Sequence, residues 1–118
     1  MHFTIAICTR NRGALVRPTL DAVARLEVPP GCTCERLVVD NGSTDDTPAV
    51  LAEFSQGDAP SFRALSEPVA GLSRARNRAL REGRGDVVIF IDDDATPEPG
   101  FLAAYAAAYR TANAVGCV

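Results

Sequence analysis

The sequence has no lysine and no tryptophan, and only one histidine. Its 12 basic side chains are therefore all arginine. A P-loop reaches its phosphates through a Gly-Lys-Ser/Thr step, so nucleotide hydrolysis of that kind is excluded. Protein-kinase and Schiff-base chemistry need lysine as well. A Ser-His-Asp hydrolase would have to use His2, which reads as a surface residue near a frayed terminus.

Long apolar runs are also missing. None reaches the ~18 residues a membrane span requires, and no basic-then-apolar leader opens the chain. The cysteines, Cys8, Cys32, Cys34 and Cys117, show no paired metal-ligand spacing. They read as free thiols of a reducing cytoplasm, so a cytoplasmic location is expected. A net charge of −3 argues against nucleic acid as a partner.

What remains is 118 residues, 47% hydrophobic, enough for one domain with its own core. Phe3–Cys8 reads as a strand, and Val16, Leu20, Val23 and Ala24 recur at helical spacing, with Pro18 confined to a first turn. Pro29-Pro30-Gly31 ends that segment. Arg36–Val39 reads as a second strand, closed by Asp40-Asn41-Gly42-Ser43. Ser43 and Thr44 read as caps of a second helix carrying Val50, Leu51 and Phe54. Ser61–Leu65 is a weaker strand. Gly71-Leu72-Ser73 opens a third helix with Ser73 as its N-cap. Asp86–Ile91 is the most apolar strand and suits a central position covered on both faces. A last helix is expected over Phe101–Ala112, then the beginning of a strand at Ala114–Val118. Alternating strands and helices predict an α/β fold of three layers, α/β/α, around a mostly parallel sheet. The expected strand order is 3-2-1-4, with the switch point between strands one and four.

The polar residues gather just after the strands: Thr9-Arg10-Asn11-Arg12, Asp40-Asn41-Gly42-Ser43 and Asp92-Asp93-Asp94. Ligands of open α/β sheets bind at that edge. Three adjacent carboxylates repel one another unless solvated or neutralised by a cation. Alternation along an extended segment points Asp92 and Asp94 to one side, where they can hold Mg²⁺ or Mn²⁺ with positions left for phosphate oxygens. The competing reading is a solvated acidic turn ahead of a helix. Arg74 and Arg76 fall in the first turn after Gly71-Leu72-Ser73, where backbone N–H groups and arginine together suit an anion. Arg81 and Arg84 read as solvated. Asp40 either accepts hydrogen bonds from a base or ribose or caps its own turn.

The ordered set CTRNR, LVVDNGSTDDT, GLSRARNRAL and DVVIFIDDDATPEPGFL resembles family 2 glycosyltransferases of the GT-A fold, over nearly the whole chain. The resemblance implies a Rossmann-like nucleotide-binding half. Its Asp-x-Asp motif falls on Asp92, Asp93 and Asp94, and its nucleotide-binding acid on Asp40, with Asn41 following. Thr9 matches the residue whose backbone lies along the nucleoside. Arg76 and Asn77 match the segment near the diphosphate. The implied activity is metal-dependent, inverting transfer of a sugar from a nucleotide-diphosphate sugar to an acceptor hydroxyl, with a UDP-sugar favoured as donor.

The resemblance also implies a single domain, residues 1–118, truncated before the acceptor-binding half. The catalytic base is then expected beyond Val118, and an uncovered strand-four edge favours a homodimer. A nucleotide-and-metal-binding fragment without catalysis is the alternative. Asp92-x-Asp94-x-Thr96 also fits the nucleophile loop of haloacid-dehalogenase-type phosphatases, but that loop follows a first strand and needs a downstream lysine.

Overall fold

The computed structural model describes residues 1–56 and 62–112; the strand anticipated at Ala114–Val118 and Cys117 lie outside them. Four strands form one sheet: β1 (His2–Thr9), β2 (Thr33–Asp40), β3 (Phe62–Ser66) and β4 (Val87–Ile91). The order is β3-β2-β1-β4 and every pairing is parallel. Between them run α1 (Arg17–Ala24, entered through a 3₁₀ turn at Gly13–Val16), α2 (Thr47–Gln56) and α3 (Leu72–Glu82), with α4 (Phe101–Ala112) after β4. Pro18 does sit in the first turn of α1, where its missing N–H costs nothing.

The two sheet faces differ in depth. Phe3, Ile5 and Ile7 of β1, Val38 of β2 and Ile89 and Ile91 of β4 pack with residues of α1, α2 and α4 in the main core. Among the described residues the opposite face is covered by α3, through Ala75 and Ala79 against Ala6, Leu37 and Val39. Small side chains let the helix approach closely there. Phe90 is 39% exposed and β4 is an edge strand among the described residues, so the expected cover on both faces of β4 is not found there. No described helix is long and apolar enough to cross a membrane.

Strand β2 begins at Thr33, three residues before the sequence pattern suggests. Its early part alternates polar side chains. Arg36 is nevertheless buried, because its guanidinium donates to the Val23 and Leu26 carbonyls and so caps the C-terminal end of α1. Past the C-terminal end of α3, Gly85 must be glycine: a Cβ there would lie 2.6 Å from the Thr4 backbone nitrogen.

Candidate functional site

Because the chain crosses back after β3 to place β4 beside β1, with α3 on the sheet face opposite α1, the C-terminal ends of β1 and β4 frame a crevice. A cleft of about 510 Å³ opens there, lined by Cys8, Thr9, Arg10, Arg12, Asn41, Gly71, Leu72, Arg76, Phe90 and Ile91 together with all three aspartates, Asp92–Asp94. That volume is in the range of small-molecule sites.

The three aspartates take different roles. The Thr9 hydroxyl donates to Asp93 Oδ2 at 3.0 Å, Arg12 Nε lies 3.6 Å from the same oxygen, and the Thr19 hydroxyl donates to the Asp93 carbonyl at 2.9 Å. Asp93 is thus anchored by the protein itself. Asp92 and Asp94 are exposed, line the cleft, and have no hydrogen bond or ion pair from their carboxylates among the described residues. The segment is a turn, closed by Ala95 N–H to the Asp92 carbonyl, and not the extended stretch assumed for the alternation. All three aspartates line the cleft, and Asp92 and Asp94 differ from Asp93 in leaving their carboxylates without a partner among the described residues.

Two exposed carboxylates offer hard oxygen ligands for Mg²⁺ or Mn²⁺ and leave most of the coordination to other donors. Among the described residues no group of three ligating side chains forms a closed metal cage. The donor set therefore suits a cation whose remaining ligands arrive with a phosphate-bearing molecule. Arg10, Arg12 and Arg76 line the same cleft. Arg76 lies over the Phe90 ring, 5.9 Å from its centroid, which orients a cation at the cleft wall. On the floor, burial pushes the Cys8 thiol up from its ordinary value, with Arg76 opposing and Asp93 adding to the effect. Cys8 is thus a neutral lining group and no activated nucleophile.

The β1 and β2 loops are locked together by side chains. Asn11, at φ 51°, accepts from Thr44 N–H on its Oδ1 at 2.7 Å and donates its own backbone N–H to Ser43 Oγ at 2.9 Å. The buried Thr47 hydroxyl accepts from the N–H groups of Arg12 and Gly13 and donates to Asp45. Ser43 and Thr44 therefore latch two loops, while α2 itself starts at Thr47; helix capping by these two residues is not observed.

Not every expected residue reaches the cleft. Asp40 is buried and accepts from Ser43 N–H at 3.3 Å, which is the turn-capping alternative. Arg74 and Asn77 are exposed on α3 outside the lining. Ser73 lies inside α3; the N-cap is Gly71, whose φ of 142° only glycine adopts readily. Cys8, Leu72, Phe90 and Thr19 were not anticipated. Phe90 was legible in principle, since it precedes Asp92 by two residues and shares its side of the strand.

Comparison with known proteins adds to this geometry. A family model described as glycosyl transferase family 2 matches residues 4–118. The uncharacterized glycosyltransferase YfnE of Bacillus subtilis (strain 168) is 37% identical over 84 residues, 70% of this chain and 21% of YfnE. The crystal structure of S. aureus TarS 1–349 in complex with UDP superposes with a TM-score of 0.82 at 25% identity, covering 94% of this chain and 32% of that one. The mannosyltransferase PcManGT from Pyrobaculum calidifontis, in complex with GDP-Man and Mn²⁺, gives 0.77 at 30% identity, covering 86% and 30%. The chain thus spans between about a fifth and a third of these proteins. The same findings displace the phosphatase reading, whose motif here follows the fourth strand instead of the first.

Proposed function

The chain belongs to glycosyl transferase family 2, and we propose that it is the donor-binding half of a transferase that moves a sugar from a nucleotide-diphosphate sugar to an acceptor hydroxyl with inversion. The observation that carries this is the cleft at the β1–β4 switch point, which Asp92 and Asp94, unpaired among the described residues, line together with Arg10 and Arg76. Two carboxylates and two guanidiniums, beside an internally paired Arg12–Asp93, match a divalent cation bound to a diphosphate. The TarS structure with UDP and the mannosyltransferase with GDP-Man and Mn²⁺ support a nucleotide donor and a divalent metal.

In this reading Asp94 is the principal ligand of Mn²⁺ or Mg²⁺, and Asp92 contacts the metal or the ribose. A bound divalent cation would neutralise charge on the departing diphosphate. Arg76 and Arg10 add fixed positive charge in the same place, held before the reaction begins. Thr9 and Arg12 hold Asp93 so that the turn presents its two neighbours. Asp93 carries no role in taking the acceptor's proton, since it is already committed to these partners. We place the general base and the acceptor site outside the described residues, in keeping with the share of its relatives that this chain spans.

Calorimetric titration with UDP, GDP, CDP and ADP, with and without Mn²⁺, tests the proposal. Binding of at least one nucleoside diphosphate that strengthens at least tenfold with Mn²⁺ is expected. Absence of metal-dependent binding for all four would overturn it.

A further inference from the structure

Asn41 follows Asp40, the position the resemblance assigns to nucleotide binding, and lines the cleft, yet its side-chain hydrogen-bonding groups are spent on the protein. It is buried. Its Nδ2 donates to the Glu67 carbonyl at 3.1 Å and to the Val69 carbonyl at 2.9 Å, while its Oδ1 accepts from Gly71 N–H at 3.0 Å. Its backbone N–H donates to the Thr9 carbonyl at 2.8 Å. A carboxamide has two donor protons, and both are spent here.

The groups it holds matter to the cleft. Pro68, Val69, Ala70 and Gly71 are exposed, and among the described residues the stretch ahead of Gly71 has two other hydrogen bonds, Glu67 N–H to the Asp40 carbonyl and Val69 N–H to the Glu67 carboxylate. The Gly71 carbonyl in turn receives the N–H groups of Arg74 and Ala75, so Gly71 is the origin of α3. Gly71 and Leu72 form the rim of the cleft, and Arg76 projects from the next turn. We infer that Asn41 is a positioning residue, whose carboxamide fixes the Glu67–Gly71 segment and hence the α3 wall of the donor cleft, and that it does not read the nucleobase. The inference rests on the nucleotide-binding reading for what the cleft holds, but the strut itself is a property of the chain.

Aspartate is the discriminating substitution. It keeps an acceptor for Gly71 N–H but has no donor for the two carbonyls, which would then face a carboxylate. A side chain that reads the base would instead gain or lose particular bases on the same change. The experiment measures amide exchange of the wild type, Asn41→Asp and Asn41→Ala, and their Mn²⁺-dependent affinities for UDP, GDP and CDP. In the wild type the Gly71 amide should exchange at least tenfold more slowly than in Asn41→Ala, which removes its acceptor. Both variants should lose affinity for the three nucleotides by one common factor of about tenfold, with their order of preference unchanged.

A changed order of preference would overturn the inference, because it would put the side chain on the base. So would a wild-type Gly71 amide exchanging as fast as an unstructured one, a result that needs no variant to fold. If the wild type binds none of the nucleotides, the donor-site reading fails, and exchange at Gly71 still decides whether the strut exists.

Discussion

Glu35 and Asp94 are carboxylates at opposite ends of the same sheet, and their surroundings could hardly differ more. Glu35, near the start of β2, accepts from the Thr4 hydroxyl at 2.8 Å, from Arg63 at 3.1 Å and from Arg84 N–H at 2.5 Å, with the His2 ring 4.0 Å away. Its side chain is 12% exposed. Donors come from β1, β3 and the entry to β4, so this one group ties three neighbouring strands at the N-terminal edge. Asp94, in the turn after β4, is exposed and takes nothing from the described residues. A carboxylate whose chain supplies its own donors belongs to the fold. One left facing a cleft without donors is available to a cation from outside.

The sharpest way to break this contrast is to remove each acid and ask what fails. Asp94→Ala should lower Mn²⁺-dependent affinity for a nucleoside diphosphate by about 100-fold, or about 2.7 kcal/mol, while the melting temperature stays within about 2 °C. Calorimetry and thermal unfolding read the two sides. An Asp94→Ala protein that binds normally with Mn²⁺ would remove Asp94 from the metal site. Glu35→Gln should do the reverse. It leaves Arg63 and two N–H or O–H donors without a full acceptor, which costs about 2 kcal/mol and lowers the melting temperature by about 8 °C. Nucleotide affinity of the folded protein should be unchanged.

The contrast was only half legible in the sequence. The acidic triplet, the polar strand ends and the β3-β2-β1-β4 order could all be read, because they depend on local runs and on the chirality of parallel connections. The Glu35 hub could not. Its partners lie at positions 4, 63 and 84, and no spacing along the chain links them. The buried Arg36 was hidden for the same reason: it serves a helix end elsewhere in the chain. Ser73 looked like an N-cap by residue type, but the turn needs a φ of 142°, which favours Gly71. At Asp40 the sequence left the turn cap as one of two readings, and the hydrogen bond from Ser43 N–H, set by the fold of the turn, shows that cap.

Acid sharpens the comparison further. Burial alone would raise the Glu35 pKa, but the hydrogen bonds from Arg84 N–H and Thr4, with the Arg63 charge and hydrogen bond, outweigh it, and the net value lies below the ordinary 4.5. A depressed folded-state pKa contributes stability above the unfolded value, and that contribution disappears as pH falls through the folded value. Wild-type stability should therefore decline as pH drops below 4.5, and Glu35→Gln should decline less steeply over the same interval. Asp45, lowered by its hydrogen bonds with Thr47, acts in the same direction in both proteins, so the difference in slope isolates Glu35. Denaturant titrations at a series of pH values provide the measurement, and parallel slopes would mean that the hub does not depend on ionised Glu35.

The smallest effect is expected where the geometry looks best. Arg17 and Glu53 approach to 2.8 Å, closer than the 3.1 Å between Arg63 and Glu35. Ranking by distance would make the first pair the stronger. Yet Arg17 and Glu53 are 41% and 59% exposed, so water already solvates both charges, and holding two long side chains together costs rotamer entropy. Arg17→Ala should therefore change stability by only about 0.5 kcal/mol, and 0.5 M salt should erase most of that by screening. Glu35 keeps most of its effect in the same salt, because its side chain is largely shielded from solvent and its bonds from Thr4 and Arg63 are part-buried. Chemical denaturation of Arg17→Ala and Glu35→Gln at low and high salt compares them directly. If the two substitutions proved equally costly and equally salt-sensitive, pairing distance would govern these carboxylates, and the distinction between the buried hub and the open cleft would rest on the wrong variable.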